Sequence, residues 1–179
     1  MSRSYILGAM HDGTVRRRTL RISQKEEAYV LFLRGLVEAA GGRAWTYREG
    51  KSRHLYVVEF SRSFLHGHSI RTRQDRIDYA RGYFDAEGGI PASLRAVPYV
   101  YFAQKDRPDL EEVRAILISM GIGCGKVHNP SRRADPDYWR FYVHRNSLCR
   151  FAKTIGSWHP RKAPVLRAWL AQIHPFRWR

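Results

Sequence analysis

The chain is written twice. Leu20-Arg21-Ile22-Ser23-Gln24-Lys25 returns eighty positions later as Val100-Tyr101-Phe102-Ala103-Gln104-Lys105. Each run is a strand-like alternation that closes on Gln-Lys and leads into a helix. The helices carry matching apolar stripes, Val30, Leu33, Val37 and Ala40 in the first and Leu110, Val113, Leu117 and Met120 in the second. Both stop at a glycine, Gly41 and Gly121, the residue that accepts the left-handed backbone of a helix end. A hairpin follows each helix: Arg43 to Phe60 turning at Glu49-Gly50-Lys51, and Cys124 to Val143 turning through Pro130 to Pro136. Gly67 and Gly156 then each precede a basic stretch and another helix. A repeat of this length means two copies of one supersecondary unit, each helix, two strands, helix, two strands, helix. The halves fall at 1–72 and 73–179, with no Pro/Gly/Ser-rich linker, so one fused pseudo-twofold unit is expected. The first hairpins differ: Gln24 follows Asp12 by 12 positions, whereas Gln104 follows Glu87 by 17.

The repeat also draws two carboxylates out of the background. Tyr5 to Gly13 and Arg81 to Gly89 both read as helix ends in which an acid, Asp12 or Glu87, stands directly before glycine. An acid at that end opposes the helix dipole by roughly 0.3–1 kcal/mol. Two of them at related positions point to a place prepared for a cation. Gly82 and Ala86 lie one turn apart, so another helix can approach closely there. If the acid-tipped helices pack side by side, Asp12 and Glu87 come together as a hard-oxygen site suited to Mg2+ or Ca2+.

The 179 residues carry 32 Lys+Arg against 16 Asp+Glu, a net charge of +16. That excess calls for a polyanionic partner, with nucleic acid first and an anionic membrane surface second. A phosphodiester is then the natural substrate, with metal activating water and stabilising the leaving oxygen. There is no apolar run near transmembrane length and no signal-peptide core, so a soluble, cytoplasmic protein is expected. Cys124 and Cys149 lack metal or disulfide spacing and read as small core residues, and His66-Gly67-His68 is too short for a zinc site.

Several residues now resemble one family. Gly82-Tyr83-Phe84-Asp85-Ala86-Glu87-Gly88 resembles the second signature of the LAGLIDADG homing endonucleases, and Tyr5 to Gly13 resembles the first. The Gln-Lys pairs and Pro160-Arg161-Lys162 before the final helix are similar too, and the resemblance spans nearly the whole chain at the spacing of single-chain, two-motif members. It implies an α+β fold of two αββαββα units forming a saddle-shaped antiparallel sheet over DNA, with the motif helices at the interface between halves. It implies a monomer that cuts both strands of a long double-stranded DNA site, pseudo-palindromic or asymmetric, with Mg2+, for which Ca2+ or Mn2+ can substitute in binding or activity. The metal-binding acids fall on Asp12 and Glu87, water-positioning side chains on Gln24 and Gln104, and active-site cations on Lys162 and Arg73, with Arg71 or Arg161 as alternatives. The first motif departs from the pattern. Its third position is Leu7, its seventh is His11, and Gly8 falls one place late. Either larger residues meet Gly82 and Ala86, or the first helix shifts register. His11 is expected to pack at the crossing.

A sheet lying in a groove of DNA needs one apolar face and one face of long polar side chains. Leu20 and Ile22 alternate with Thr19, Arg21 and Ser23, and Trp139, Phe141 and Val143 alternate with Tyr138, Arg140 and Tyr142. Basic tips at Arg16, Arg17 and Arg18, at Arg48, Lys51 and Arg53, and at Arg132 and Arg133 are placed to meet phosphates. Arg21, Tyr47, Lys126 and Arg140 are placed to reach base edges. The basic, aromatic run from His174 to Arg179 either adds a phosphate contact or packs on the core. The competing reading keeps the scaffold without cleavage, as an RNA-splicing maturase or a DNA-binding regulator.

Overall fold

The computed structural model describes residues 3–50 and 54–173, with the side chains of 172 and 173 left out. Lys51, Arg53 and the run 174–179 lie outside the described residues. The chain is mixed α+β with two antiparallel sheets. It divides into two compact units, Met1–Ala86 and Glu87–Arg179.

The first unit begins with α1 (Arg3–Ala9), which tightens into a 3-10 turn over Met10–Asp12. Strands β1 (Gly13–Val15), β2 (Thr19–Gln24), β3 (Ala44–Glu49) and β4 (Leu55–Ser61) form a sheet of order β1-β2-β4-β3. Helix α2 (Glu27–Ala39) lies on β2, β3 and β4. Its stripe is buried as the spacing requires, Val30, Leu33 and Val37 joined by Tyr29 and Leu36. Helix α3 (Arg73–Glu87) opens on a capping box: Thr72 Oγ1 accepts from the Asp75 backbone N–H, and Asp75 accepts from the Thr72 backbone N–H. The compact boundary falls at the end of α3, fourteen residues beyond the one read from the repeat. The reason is that α3 packs on α1.

The second unit holds β5 (Gly88–Gly89), β6 (Tyr101–Gln104) and β7 (Trp139–Tyr142), in that order across the sheet. Helices α4 (Arg107–Ser119), α5 (Leu148–Thr154) and α6 (Lys162–Ile173) complete it. Phe102 and Phe141, a cross-strand pair, stack at 5.1 Å in the core with Phe151 edge-on. The strand expected over Cys124 to Asn129 is reduced to two bridges, Cys124 with Val143 and His128 with Arg140. Gly123, Gly125 and Pro130 weaken a continuous ladder there.

The repeat survives in the backbone. Gly41 and Gly121 both end their helices at positive φ, +80° and +74°. Gly13 pairs with Ile22 and Gly88 with Phe102, so in each unit the residue after the acid faces the residue two before the glutamine. The five extra residues of the second copy fall in the long 90–100 connection, whereas β1 and β2 join through Arg16, Arg17 and Arg18 alone.

Candidate functional site

The acid tip of the first unit depends on a helix crossing. A Cβ on Gly8 would lie 2.2 Å from the Tyr79 carbonyl oxygen, and one on Gly82 would lie 2.0 Å from that of Tyr5. Backbone therefore touches backbone at Gly8 and Gly82, and the shifted register is the one realised. Leu7 does not face Gly82. His11 packs on α3, its ring centroid 4.0 Å from that of Tyr83 and its Nε2 2.9 Å from the Tyr79 hydroxyl.

The shift leaves four residues from Gly8 to Asp12 against five from Gly82 to Glu87. The 3-10 turn makes up the difference. It rises roughly 2.0 Å per residue where an α-helix rises roughly 1.5 Å. Both acids then stand about 7.5 Å along the axis from their crossing glycine, with directions around the axis differing by about 40°.

Asp12 is exposed and Glu87 half-buried. Gln24 Nε2 donates to Asp12 Oδ2 at 2.6 Å, so the first unit joins the expected acid and amide directly. In the second unit the register is equivalent, but Gln104 Oε1 accepts from the Lys105 backbone N–H at 2.7 Å. Both acids close helical runs whose terminal carbonyls carry partial negative charge, and carboxylates with carbonyl oxygens are the donor set of Mg2+ and Ca2+. The residues present therefore fit a hard divalent cation. Among the described residues, no group of three or more His, Cys, Asp and Glu side chains gathers as a metal cluster.

The two expected cations are placed differently. Lys162 opens α6, half-buried, its N–H on the His159 carbonyl at 3.1 Å. Arg73 opens α3, exposed, about 21 Å along that helix from Glu87. It stands at the end where Ser4, near the start of α1, donates to Asp75, whereas Asp12 closes the opposite end of the α1 run.

Beneath the crossing lies a buried network that sequence reading missed. Tyr5 donates to Asp85 at 2.6 Å, and the Tyr5 and Tyr29 hydroxyls share a hydrogen bond of 2.9 Å. Because Tyr5 gives its proton to Asp85, Tyr29 gives its own to Tyr5. Burial first, then the Asp85 charge, holds both phenols well above their usual range.

The solvent-side sheet faces carry the other candidates. Arg16, Arg17 and Arg18 are exposed at the β1–β2 tip. Arg21 faces out but forms an ion pair with Glu49 at 2.5 Å. Its strand neighbour Glu59 is buried and accepts from Thr19 and Tyr47. Burial raises that carboxyl, but the bonds from Thr19 and Tyr47 and the charges of Arg16 and Arg21 outweigh it and hold Glu59 below its usual range. Arg21 and Tyr47 are thus held by acids, and the sheet face is a mixed-charge surface. Arg48 pairs with Tyr56, lines a small cavity beside α2 and donates to His54. In the second unit Arg132 and Arg133 are exposed on a turn that Asn129 pins through Asp135, Pro136 and Ser131. Lys126 is exposed. Arg140 lies over two tyrosine rings, 5.6 Å from Tyr101 and 5.1 Å from Tyr142. No described helix is long and apolar enough to cross a membrane.

Known proteins share this fold. The family model for a LAGLIDADG-like domain matches residues 75–156. Comparison with curated protein sequences returned no match. Among solved structures, I-DmoI in complex with DNA and Mn superposes with a TM-score of 0.65 at 17% identity, over 86% of this chain and 94% of that one. The N-terminal LAGLIDADG domain of DUF199/WhiA gives 0.66 at 16% identity, over 86% and 79%. Full-length DUF199/WhiA from Thermatoga maritima gives 0.69 at 16% identity, over 98% of this chain and 61% of that one. At such identities the likeness establishes the fold.

Proposed function

We propose that this chain is a LAGLIDADG protein that binds double-stranded DNA and hydrolyses it site-specifically, with Asp12 and Glu87 as the metal-binding carboxylates; the LAGLIDADG-like match over residues 75–156 and the shared fold support that reading. The observation that carries this reading is the Asp12–Gln24 pair: an exposed carboxylate at a helix tip, held by an amide 2.6 Å away, in a chain of net charge +16. I-DmoI has been seen with DNA and Mn or Ca, and a variant of it with its target DNA in the presence of Mg, the same class of cation that the donor set here fits. When bound, the metal supplies an activated water and charge stabilisation of the leaving oxygen. Gln24 fixes the rotamer of Asp12, and its amide stands where it can orient a water beside that carboxylate. Gln104 fills the equivalent position after turning from Lys105. Lys162 contributes positive charge toward the developing phosphorane. The tips at Arg16–Arg18 and Arg132–Arg133 hold phosphates. With both motifs on one chain, the protein acts as a monomer.

A second reading keeps DNA binding without cleavage. It draws on the roughly 40° by which the two acids differ around their helix axes. Cleavage of the DNA flanking the gene, in Mg2+, separates the two. Asp12→Asn and Glu87→Gln should each abolish cutting and spare binding. In the same assay, binding by wild type should weaken with salt along a log–log slope of about −0.9 per phosphate neutralised, and a flat response removes the DNA reading altogether.

A further inference from the structure

The outward sheet face of the second unit differs in kind from that of the first. In the first, the cross-strand pair Arg21 and Glu59, with Thr19 beside them, forms a charged hydrogen-bonded network. The repeat places Tyr101, Tyr142 and Tyr99 at the same positions. Tyr99 and Tyr101 stack at 6.1 Å with planes 26° apart, and Tyr142 meets both edge-on at 6.4 and 5.9 Å. His128 stacks on Tyr142 at 6.4 Å. The fold does not require these rings, because the first unit builds the same strands without them. A cross-strand aromatic pair would stabilise the sheet by itself, yet Tyr99 and Tyr142 remain 39% and 37% exposed.

Two further features fit a ligand. Gly89 lies under Tyr101 so closely that a Cβ would meet the ring carbon Cζ at 2.1 Å, so the glycine lets that ring lie flat across β5. Arg140, above Tyr101 and Tyr142, keeps a buried Nε that makes no hydrogen bond to protein. Flat rings, a cation over them and exposed Lys126 and His128 at the edge combine base-stacking surface with phosphate-attracting charge.

We propose that this face binds single-stranded DNA by stacking unpaired bases on Tyr99, Tyr101 and Tyr142. Paired bases in an intact duplex present their edges in the grooves and keep their faces covered, so a duplex offers these rings no base face to stack on. A strand end frayed from a cut site does. The choice of DNA rests on the proposed function above, and the net charge of +16 favours any such polyanion.

The test uses the full chain and fluorescence anisotropy with a short single-stranded DNA, the same sequence as RNA, and its duplex. Tyr142→Leu and Tyr99→Leu should each weaken binding of the single strand roughly 5- to 150-fold and weaken duplex binding far less. Tyr142→Phe should retain it. A 2-aminopurine base in the strand should be quenched on binding wild type and not on binding the leucine variants. Leucine variants that bind the single strand like wild type, or lose duplex binding equally, overturn the proposal, as does tighter binding of RNA. Both rings are part-exposed, and circular dichroism verifies that the variants fold. Cutting is measured separately on the duplex with Asp12→Asn, so failure of stacking and failure of cleavage give different patterns.

Discussion

Replacing Gly82 by alanine tests the crossing that sets where Asp12 stands. The added Cβ would lie 2.0 Å from the Tyr5 carbonyl oxygen and 2.9 Å from the Ala9 nitrogen. Both are backbone atoms and cannot rotate aside. Ordinary contact would part α1 from α3 by more than an ångström there. Tyr5, Ile6, Ala80 and Tyr83 are fully buried around the contact, so the separation loosens their packing as well. Alanine gains about 1 kcal/mol over glycine in a helix interior. Overpacking costs about 1–3 kcal/mol where side chains can yield, and more where only backbone can move. The clash should win, with a net destabilisation of about 2–4 kcal/mol. Gly8→Ala should behave alike, since its Cβ meets the Tyr79 oxygen at 2.2 Å. Gly35 in α2 is the control: nothing lies within 4 Å of its Cβ, so Gly35→Ala should stabilise by about 0.5–1 kcal/mol. Urea unfolding followed by tryptophan fluorescence and far-UV circular dichroism measures all three. If Gly82→Ala and Gly35→Ala shift the midpoint in the same direction, the crossing is not where it is described.

Other consequences follow from the buried polar groups. Tyr5→Phe removes a donor from the buried Asp85 carboxylate and should cost about 1–3 kcal/mol in the same unfolding assay. Asp85→Asn made together with Tyr5→Phe should cost less than the two changes summed. His159 is buried, and its Nδ1 accepts from the Arg161 N–H. Burial first, then the Lys162 and Arg161 charges, lowers its pKa to about 4. The unfolded ring takes a proton near its ordinary value while the folded ring stays neutral. Stability should therefore be full above about pH 6.5 and fall by up to about 1.4 kcal/mol per pH unit toward pH 4, and His159→Gln should flatten that decline. Asp75 has its pKa lowered to about 2, chiefly by the Thr72 backbone and hydroxyl. Its contribution is present above pH 4 and lost as pH falls toward 2, so Asp75→Asn should narrow the acid-unfolding difference from wild type over that window.

Much of this architecture was legible because repetition carries information that one copy does not. Gly41 and Gly121 marked helix ends, and the Gln-Lys pairs marked strand ends, because each occurred twice in register. The short first motif left two alternatives open, and only coordinates choose between them: a 3-10 turn over Met10–Asp12 has no sequence signature separating it from one more turn of α-helix. The strand expected over 124–129 is only two isolated bridges, because Gly123, Gly125 and Pro130 interrupt the ladder there. The aromatic face was visible as single residues, Tyr101 and Tyr142, but their adjacency depends on the β6–β7 register. The ion pair of Arg21 with Glu49 was hidden for the same reason, since it spans β2 and β3, which follow one another in the chain but are separated in the sheet by β4. Arg73, which the resemblance implies as an active-site cation, opens α3, and the length of that helix sets it about 21 Å from Glu87.

The most direct test of the proposed chemistry is to incubate wild type, Asp12→Asn and Glu87→Gln with Mg2+ and the DNA flanking the gene, and to read binding and strand scission on the same samples. All three should bind one site, and only wild type should cut both strands there. Specific binding by wild type with both strands left intact would contradict that chemistry.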